Sequence, residues 1–258
     1  WDQQKRPSKG VVESMQVWQR TGELAFAVKG VKDLTLDDPN AAVLQLQEGA
    51  SVFPAPLVVE DLDGDHLPEI ILGGSGLLYR NRGKFQFEKQ PLLSGPHLRF
   101  RAGALGEFTG DGQLDWFAIA PDGWPVVFPG TAGGAGFSRA AVVESRAMQF
   151  AFPQCVATGD VDGDGDLDVF VAQYKTPYGG GQMPTPYYDA NDGFPAALLL
   201  NDGTGRFVDA TEEAGLATKR RRRTYSASWV DWDRDADLDL MVISDFAGID
   251  LYENRGKG

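Results

Sequence analysis

The sequence is poor in residues that support disulfide, membrane or nucleic-acid chemistry. Its one cysteine, Cys155, cannot form an internal disulfide. The longest apolar runs, such as Ala196–Leu200, are far shorter than the roughly 20 residues of a membrane-spanning helix. Only 24 basic residues oppose 37 acidic ones, which gives a net charge of −13 over 258 residues. Nucleic acid is therefore not expected as a main partner, because phosphate binding needs clustered positive charge.

Catalytic signatures are also scarce. The chain has two histidines, His66 and His97. It contains no Gly-x-Ser-x-Gly elbow, no phosphate-binding loop and no His/Cys zinc spacing. We therefore expect a protein that is not an enzyme. The 42% apolar content is too high for a disordered acidic chain. At 258 residues, the chain is also long enough to bury a sizeable core.

Much of the acidic charge is concentrated in four short windows, which hold 17 of the 37 acidic residues. The windows are residues 61–69, 107–115, 160–168 and 231–239. Their starts are 46, 53 and 71 residues apart. A fixed motif at roughly 40–50 residues is typical of a propeller blade.

Short apolar runs flank each window and predict four strands per repeat. The last repeat stops after three strands, and Met15–Val28 resembles two further strands. The prediction is one all-β domain over 1–258, a β-propeller of four-stranded blades that forms an arc of a larger propeller. Closure of a small ring by the N-terminal strands is the alternative. Residues 173–195 are expected to be an insertion loop, and residues 210–216 a short helix.

Oxygens at positions 1, 3, 5 and 9 of such a window converge on one point, with a backbone carbonyl at position 7. Calcium prefers six to eight oxygen ligands of this kind. An EF-hand is excluded because position 12 is apolar in every window. Magnesium fits less well, because it prefers strict octahedral geometry. The remaining alternative is that the windows are solvated acidic turns without an ion.

We thus predict up to four Ca²⁺ ions. The candidate side-chain ligands are Asp61, Asp63, Asp65 and Glu69; Glu107, Thr109, Asp111 and Asp115; Asp160, Asp162, Asp164 and Asp168; and Asp231, Asp233, Asp235 and Asp239. The candidate carbonyl ligands belong to Leu67, Gln113, Asp166 and Asp237.

A basic run, Lys219–Arg223, contrasts with the acidic chain. One interpretation is a solvated loop between blades. The other is an electrostatic contact with an acidic neighbour, either a second copy of the chain or an anionic glycan.

The acidic windows and their flanks resemble the FG-GAP/VCBS repeat family. Residues 201–216, followed by 225–231, are similar to its cartilage-acidic-protein/UnbV-like branch. The resemblance implies a β-propeller whose Asp-rich loops bind calcium at the ligands already named. Four positions depart from the usual pattern and affect the expected metal affinity: His66, Thr109, Arg234 and Ala236.

The expected function is that of a secreted calcium-binding scaffold for adhesion, recognition or extracellular assembly. Its expected partner is a protein or glycan ligand outside the cell. Self-assembly into a homo-oligomer or fibre through incomplete terminal blades is a further hypothesis. The alternative function is a carbohydrate-binding propeller or a polysaccharide-cleaving enzyme on the same fold.

Overall fold

The structure is a computed structural model. It describes residues 56–95, 98–140, 142–175, 183–184 and 186–256. All of these residues fall within one compact unit, Leu34–Gly258. The strand pair expected within Met15–Val28, and His97, lie outside the described residues. The prediction of an arc of a larger ring therefore stays a prediction.

The described residues contain fifteen strands in four antiparallel sheets, which follow one another along the chain. Blade 1 comprises β1 (Leu57–Glu60), β2 (Glu69–Leu72), β3 (Leu77–Asn81) and β4 (Phe87–Pro91). Blade 2 comprises β5 (Gly103–Gly106), β6 (Asp115–Ile119), β7 (Pro125–Phe128) and β8 (Val143–Glu144). Blade 3 comprises β9 (Pro153–Gly159), β10 (Asp168–Gln173), β11 (Ala197–Asn201) and β12 (Phe207–Asp209). Blade 4 comprises β13 (Arg223–Val230), β14 (Asp239–Asp245) and β15 (Gly248–Tyr252).

Each sheet is a meander in which consecutive strands pair, so the predicted all-β fold built from propeller-like blades is confirmed. The first three sheets have four strands and the last has three, as the flanking runs indicated. The only helical segments in the described ranges are two short 3₁₀ turns, Ala132–Gly134 and Ala217–Lys219. The helix predicted over 210–216 is wrong. That segment is a hydrogen-bonded turn, in which Thr211 accepts a bond from the backbone N–H of Leu198 and so secures the turn to β11.

Alternate residues of the middle strands pack against different neighbouring sheets. In β6, Trp116 and Ala118 join a cluster with Ile71 and Leu78 of blade 1. Between them, Phe117 points to the opposite face and packs with β10 and β11 of blade 3. A strand buried on both faces requires a continuous apolar run, and all five residues of β6 are buried.

The same alternation continues at the next interface. Val169 and Val171 of β10 pack towards blade 2, whereas Phe170 and Ala172 pack towards blade 4. The four sheets therefore stack face to face in chain order. This is the arrangement of successive blades in a propeller-like fold.

Glycine allows close contact between neighbouring blades. A Cβ atom added at Gly159, the last residue of β9, would lie 2.9 Å from Leu238 Cδ1 of blade 4. Likewise, a Cβ atom added at Gly106, the last residue of β5, would lie 2.7 Å from Leu167 Cδ1 of blade 3. These two glycines thus let the leucine before the second strand of one blade pack onto the end of the first strand of the preceding blade.

The C-terminal end of the basic run is buried, so the interpretation as a solvated loop is wrong for Arg222 and Arg223, whereas Lys219 and Arg221 are exposed. Arg222 and Arg223 are both 4% exposed. Arg222 pairs with Asp250 of β15 at 3.1 Å, and Arg223 donates two hydrogen bonds to Asp192 at 2.8 Å each. The Arg223–Asp192 pair connects the insertion between β10 and β11 to blade 4, and the two ion pairs leave neither arginine side chain free for an outside partner.

Candidate metal centres

Each acidic window connects the first strand of a blade to the second. We name residues 61–69, 107–115, 160–168 and 231–239 loops 1 to 4. In every loop the ninth residue is at or immediately before the start of the second strand. Because the blades stack in chain order with the same connectivity, the four loops share one rim of the fold.

In three of the four loops, carboxylates from the first, third and ninth positions come together, whereas the predicted ligand set also included the fifth position. In each of these loops, one oxygen from positions 1, 3 and 9 lies within 4.8 Å of the other two. The three groups are Asp61, Asp63 and Glu69; Asp160, Asp162 and Asp168; and Asp231, Asp233 and Asp239. The fifth-position aspartates are not in these groups. They accept the N–H of the seventh residue, as Asp164 does from Asp166 at 3.0 Å.

The ninth-position carboxylate is the buried anchor of each loop. Asp168 is fully buried, and its two oxygens accept the backbone N–H groups of Val161 and Asn201 at 3.0 and 2.9 Å. Asp239 accepts the N–H groups of Trp232 and Asn254 at 2.9 and 2.8 Å. The carboxylate thus ties the second residue of its loop to the end of the third strand, and Glu69 and Asp115 do the same.

The first-position aspartate shapes the bend. Asp160 accepts backbone N–H groups from Gly163, Asp164 and Gly165. In loop 1, desolvation by itself would raise the pKa of Asp61. Hydrogen bonds from the backbone N–H groups of His66, Gly64 and Asp65 have the larger effect, so the pKa of Asp61 is lowered overall. These bonds direct the fourth and sixth residues into the left-handed region, where glycine is favoured.

Loop 4 adopts this bend without glycine. Arg234 has φ +68° and Ala236 has φ +78° at the two left-handed positions. In loop 1, His66 has φ +69° at the sixth position. His66, Arg234 and Ala236 therefore preserve the shape of loops 1 and 4, but each adds backbone strain because it is not glycine.

Burial raises the proton affinity of carboxylates in loops 3 and 4, and repulsion from neighbouring carboxylates adds to this effect. Desolvation, followed by the charges of Asp162 and Asp164, raises the pKa of Asp168 to about 6. Desolvation and the charge of Asp235 also raise the pKa of Asp233. An oxygen-preferring divalent cation would relieve this repulsion, so the donor sets of loops 3 and 4 fit calcium chemically.

Loop 2 is arranged differently. Glu107 folds back and accepts the backbone N–H groups of Thr109, Gly110 and Asp111 through one oxygen. The Thr109 hydroxyl donates to Asp115 at 3.0 Å. Within the described ranges, loop 2 does not form a group of three carboxylates like those of the other loops.

Two kinds of residue that contact the loops were missed by the sequence analysis. The asparagine at the end of the third strand reaches the previous blade: Asn201 donates to Phe108 O at 3.0 Å, and Asn254 to Val161 O at 2.8 Å. An Asn-x-Gly sequence at 81, 201 and 254 was the available signal. Arg80, which contacts two carboxylates of loop 1, had no local signal.

Residues 107–171, which span loops 2 and 3, match the profile of the FG-GAP-like repeat. The chain therefore carries a repeat of the FG-GAP family, which confirms the predicted resemblance. The finer assignment to the cartilage-acidic-protein/UnbV-like branch stays a prediction. No match was found among curated proteins.

Two solved structures illustrate the wider similarity. One is an Agrocybe aegerita lectin with specific recognition of non-reducing terminal N-acetylglucosamine, at 17% identity and a TM-score of 0.48, with 81% of this chain and 51% of the lectin covered. The other is the V. cholerae biofilm matrix protein Bap1, at 13% identity and a TM-score of 0.35, with 79% and 32% covered. The chain spans about half the length of the first and a third of the second.

Proposed function

We propose that this protein is a calcium-stabilised, propeller-like scaffold for recognition outside the cell, with loops 3 and 4 as its ion sites. The observation that carries the proposal is the convergence of three carboxylates within 4.8 Å in each of these loops, one of them buried. The FG-GAP-like repeat at residues 107–171 supports the same conclusion.

Calcium would act here on stability. An ion bound only by the folded chain stabilises it by RT ln(1 + [L]/Kd), or about 1.4 kcal/mol per site at tenfold excess over Kd. Calcium modules outside cells commonly have Kd values of about 10⁻⁴–10⁻³ M. Sites of this affinity would be filled in an environment with millimolar calcium, which is why we place the protein outside the cell.

A role in binding rather than catalysis is supported by the reactive residues. His66 has a side chain that is 96% exposed and belongs to an acidic loop. Burial raises the pKa of the Cys155 thiol to about 11, which keeps it in its poorly nucleophilic protonated form at neutral pH.

In the part of the chain that the structure describes, no helix combines the length and apolar character required to cross a membrane.

The test is a calcium titration of thermal unfolding. We expect millimolar Ca²⁺ to raise the Tm over that in EDTA. Asp162→Asn and Asp233→Asn should each remove part of that increase, because each takes one charged ligand from a site. Glu213→Gln is the matched control, since Glu213 is exposed and outside the loops. An unchanged Tm, or an equal effect of the control, would contradict the proposal.

The recognised partner is proposed only as a class: a glycan or a protein on the extracellular side. A glycan array probed with the calcium-loaded chain would separate the two, since a protein-specific scaffold would leave the array unlabelled. Incubation with polysaccharides, followed by assay of new reducing ends, tests the enzymatic alternative. We expect no products.

A further inference from the structure

Arg80 places a buried positive charge against the carboxylates of loop 1. It lies in β3, and its side chain is only 6% exposed. Its Nη1 atom is 3.4 Å from Asp63 Oδ2 and 3.6 Å from Glu69 Oε2. These two carboxylates belong to the group of three that loop 1 forms. The guanidinium thus contacts two of the three carboxylates that would otherwise bind an ion.

The neighbouring blade holds this guanidinium in place. Its Nη2 atom donates a hydrogen bond to the carbonyl oxygen of Gly134. Gly134 itself lies directly on loop 1, since a Cβ atom there would be 1.9 Å from Leu62 O. With a φ of +65° and no room for a side chain, this position requires glycine. Arg80 is therefore fixed between its own loop and blade 2.

The other three loops have no such cation at this position. Arg80 immediately precedes Asn81, whose backbone N–H bonds to the ninth-position carboxylate. The residues that immediately precede the corresponding donors of blades 2, 3 and 4 are Pro129, Leu200 and Glu253. None of these carries a positive charge, so loop 1 alone among the four combines its carboxylates with this buried arginine.

A guanidinium is a permanent positive charge under the conditions in which proteins are folded. A divalent ion bound between Asp63 and Glu69 would therefore face a fixed positive charge a few ångströms away. At an effective dielectric of about 20, Coulomb repulsion between a divalent ion and a guanidinium about 4 Å apart weakens binding by several orders of magnitude. The arginine also already compensates the negative charge of Asp63 and Glu69, which an ion would otherwise neutralise.

We propose that Arg80 replaces calcium in loop 1. The loop is then held in shape without an ion, and the chain binds fewer ions than it has acidic loops. This inference rests on the proposed calcium binding at loops 3 and 4. It also predicts that the two ends of the described fold differ: blade 1 keeps its loop in a chelator, whereas blades 3 and 4 depend on calcium.

The test compares Arg80→Met with the wild type by isothermal titration with Ca²⁺. We expect Arg80→Met to bind one ion more than the wild type, and Arg80→Met/Asp63→Asn to lose that ion again. Arg82→Met is the matched control, because Arg82 is exposed and forms its ion pair with the exposed Glu88. It should bind as many ions as the wild type.

A second test does not need an Arg80 variant, so it remains valid even if Arg80→Met fails to fold. In the otherwise wild-type chain, Asp63→Asn should leave the number of bound ions unchanged and lower Tm equally in Ca²⁺ and in EDTA. If Asp63→Asn removes one ion from the wild-type chain, the role of Arg80 is overturned while calcium binding stands. If no variant binds calcium, the proposed function itself fails.

Discussion

Replacing Ala236 with glycine should stabilise the protein. Ala236 is exposed and has φ +78°, so the substitution removes backbone strain without loss of packing. An L-residue in the left-handed region costs roughly 1–2 kcal/mol. Glycine also gives the unfolded chain more freedom, which costs about 0.4–1 kcal/mol. The free energy of unfolding should therefore rise by about 0.5–1 kcal/mol, or roughly 1–4 °C in Tm.

The assay is thermal unfolding followed by circular dichroism, in EDTA and in calcium. If loop 4 keeps its bend in both conditions, the strain is present in both, and the gain from Ala236→Gly should be the same. Ala214→Gly is the control, because Ala214 is also exposed but is not among the residues with positive φ. It should lower Tm. A decrease for Ala236→Gly similar to that of the control would refute the strain argument.

Two further substitutions test the contacts between elements. Asp192→Asn should lower the unfolding free energy by about 3 kcal/mol, because it leaves the buried Arg223 without its anion. Hydrogen bonds from Arg223, and then Lys175, lower the pKa of Asp192 to about 2. Its stabilising effect should therefore be complete above about pH 4 and fall as the pH is lowered towards 2, which acid titration of the wild type and Asp192→Asn would show. Asn201→Ala should lower the unfolding free energy by about 1–3 kcal/mol in urea, since it leaves a buried carbonyl unpaired; a loss no larger than that of the exposed Asn191→Ala would count against the inter-blade bond.

The sequence alone predicted the local part of the fold. Loops 1 to 4 were recognisable because their acidic residues recur at short, fixed spacing within nine residues. Strands such as β6 and β10 were recognisable because burial on both faces requires continuous apolar runs. Both signals depend on neighbouring residues in the chain, which a sequence displays directly.

The contacts that were missed join residues far apart in sequence. Arg80 reaches Asp63 only through the pairing of β2 with β3, and it meets Gly134 only because blade 2 packs onto loop 1. The partners of Arg222 and Arg223, Asp250 and Asp192, lie 28 and 31 residues away. A charge run resembles a solvated loop when its counter-charges lie on other elements, because composition shows the charges and not their distances.

The asparagine contacts couple loops 2, 3 and 4 to one another. The backbone of Asn254 is held by Asp239 of loop 4, while its side chain holds Val161 of loop 3. Asn201 joins Asp168 of loop 3 to Phe108 of loop 2 in the same way. Loops 2, 3 and 4 are therefore connected in series, each to the next by one asparagine side chain, and anything that stiffens one of these loops restrains its neighbour as well.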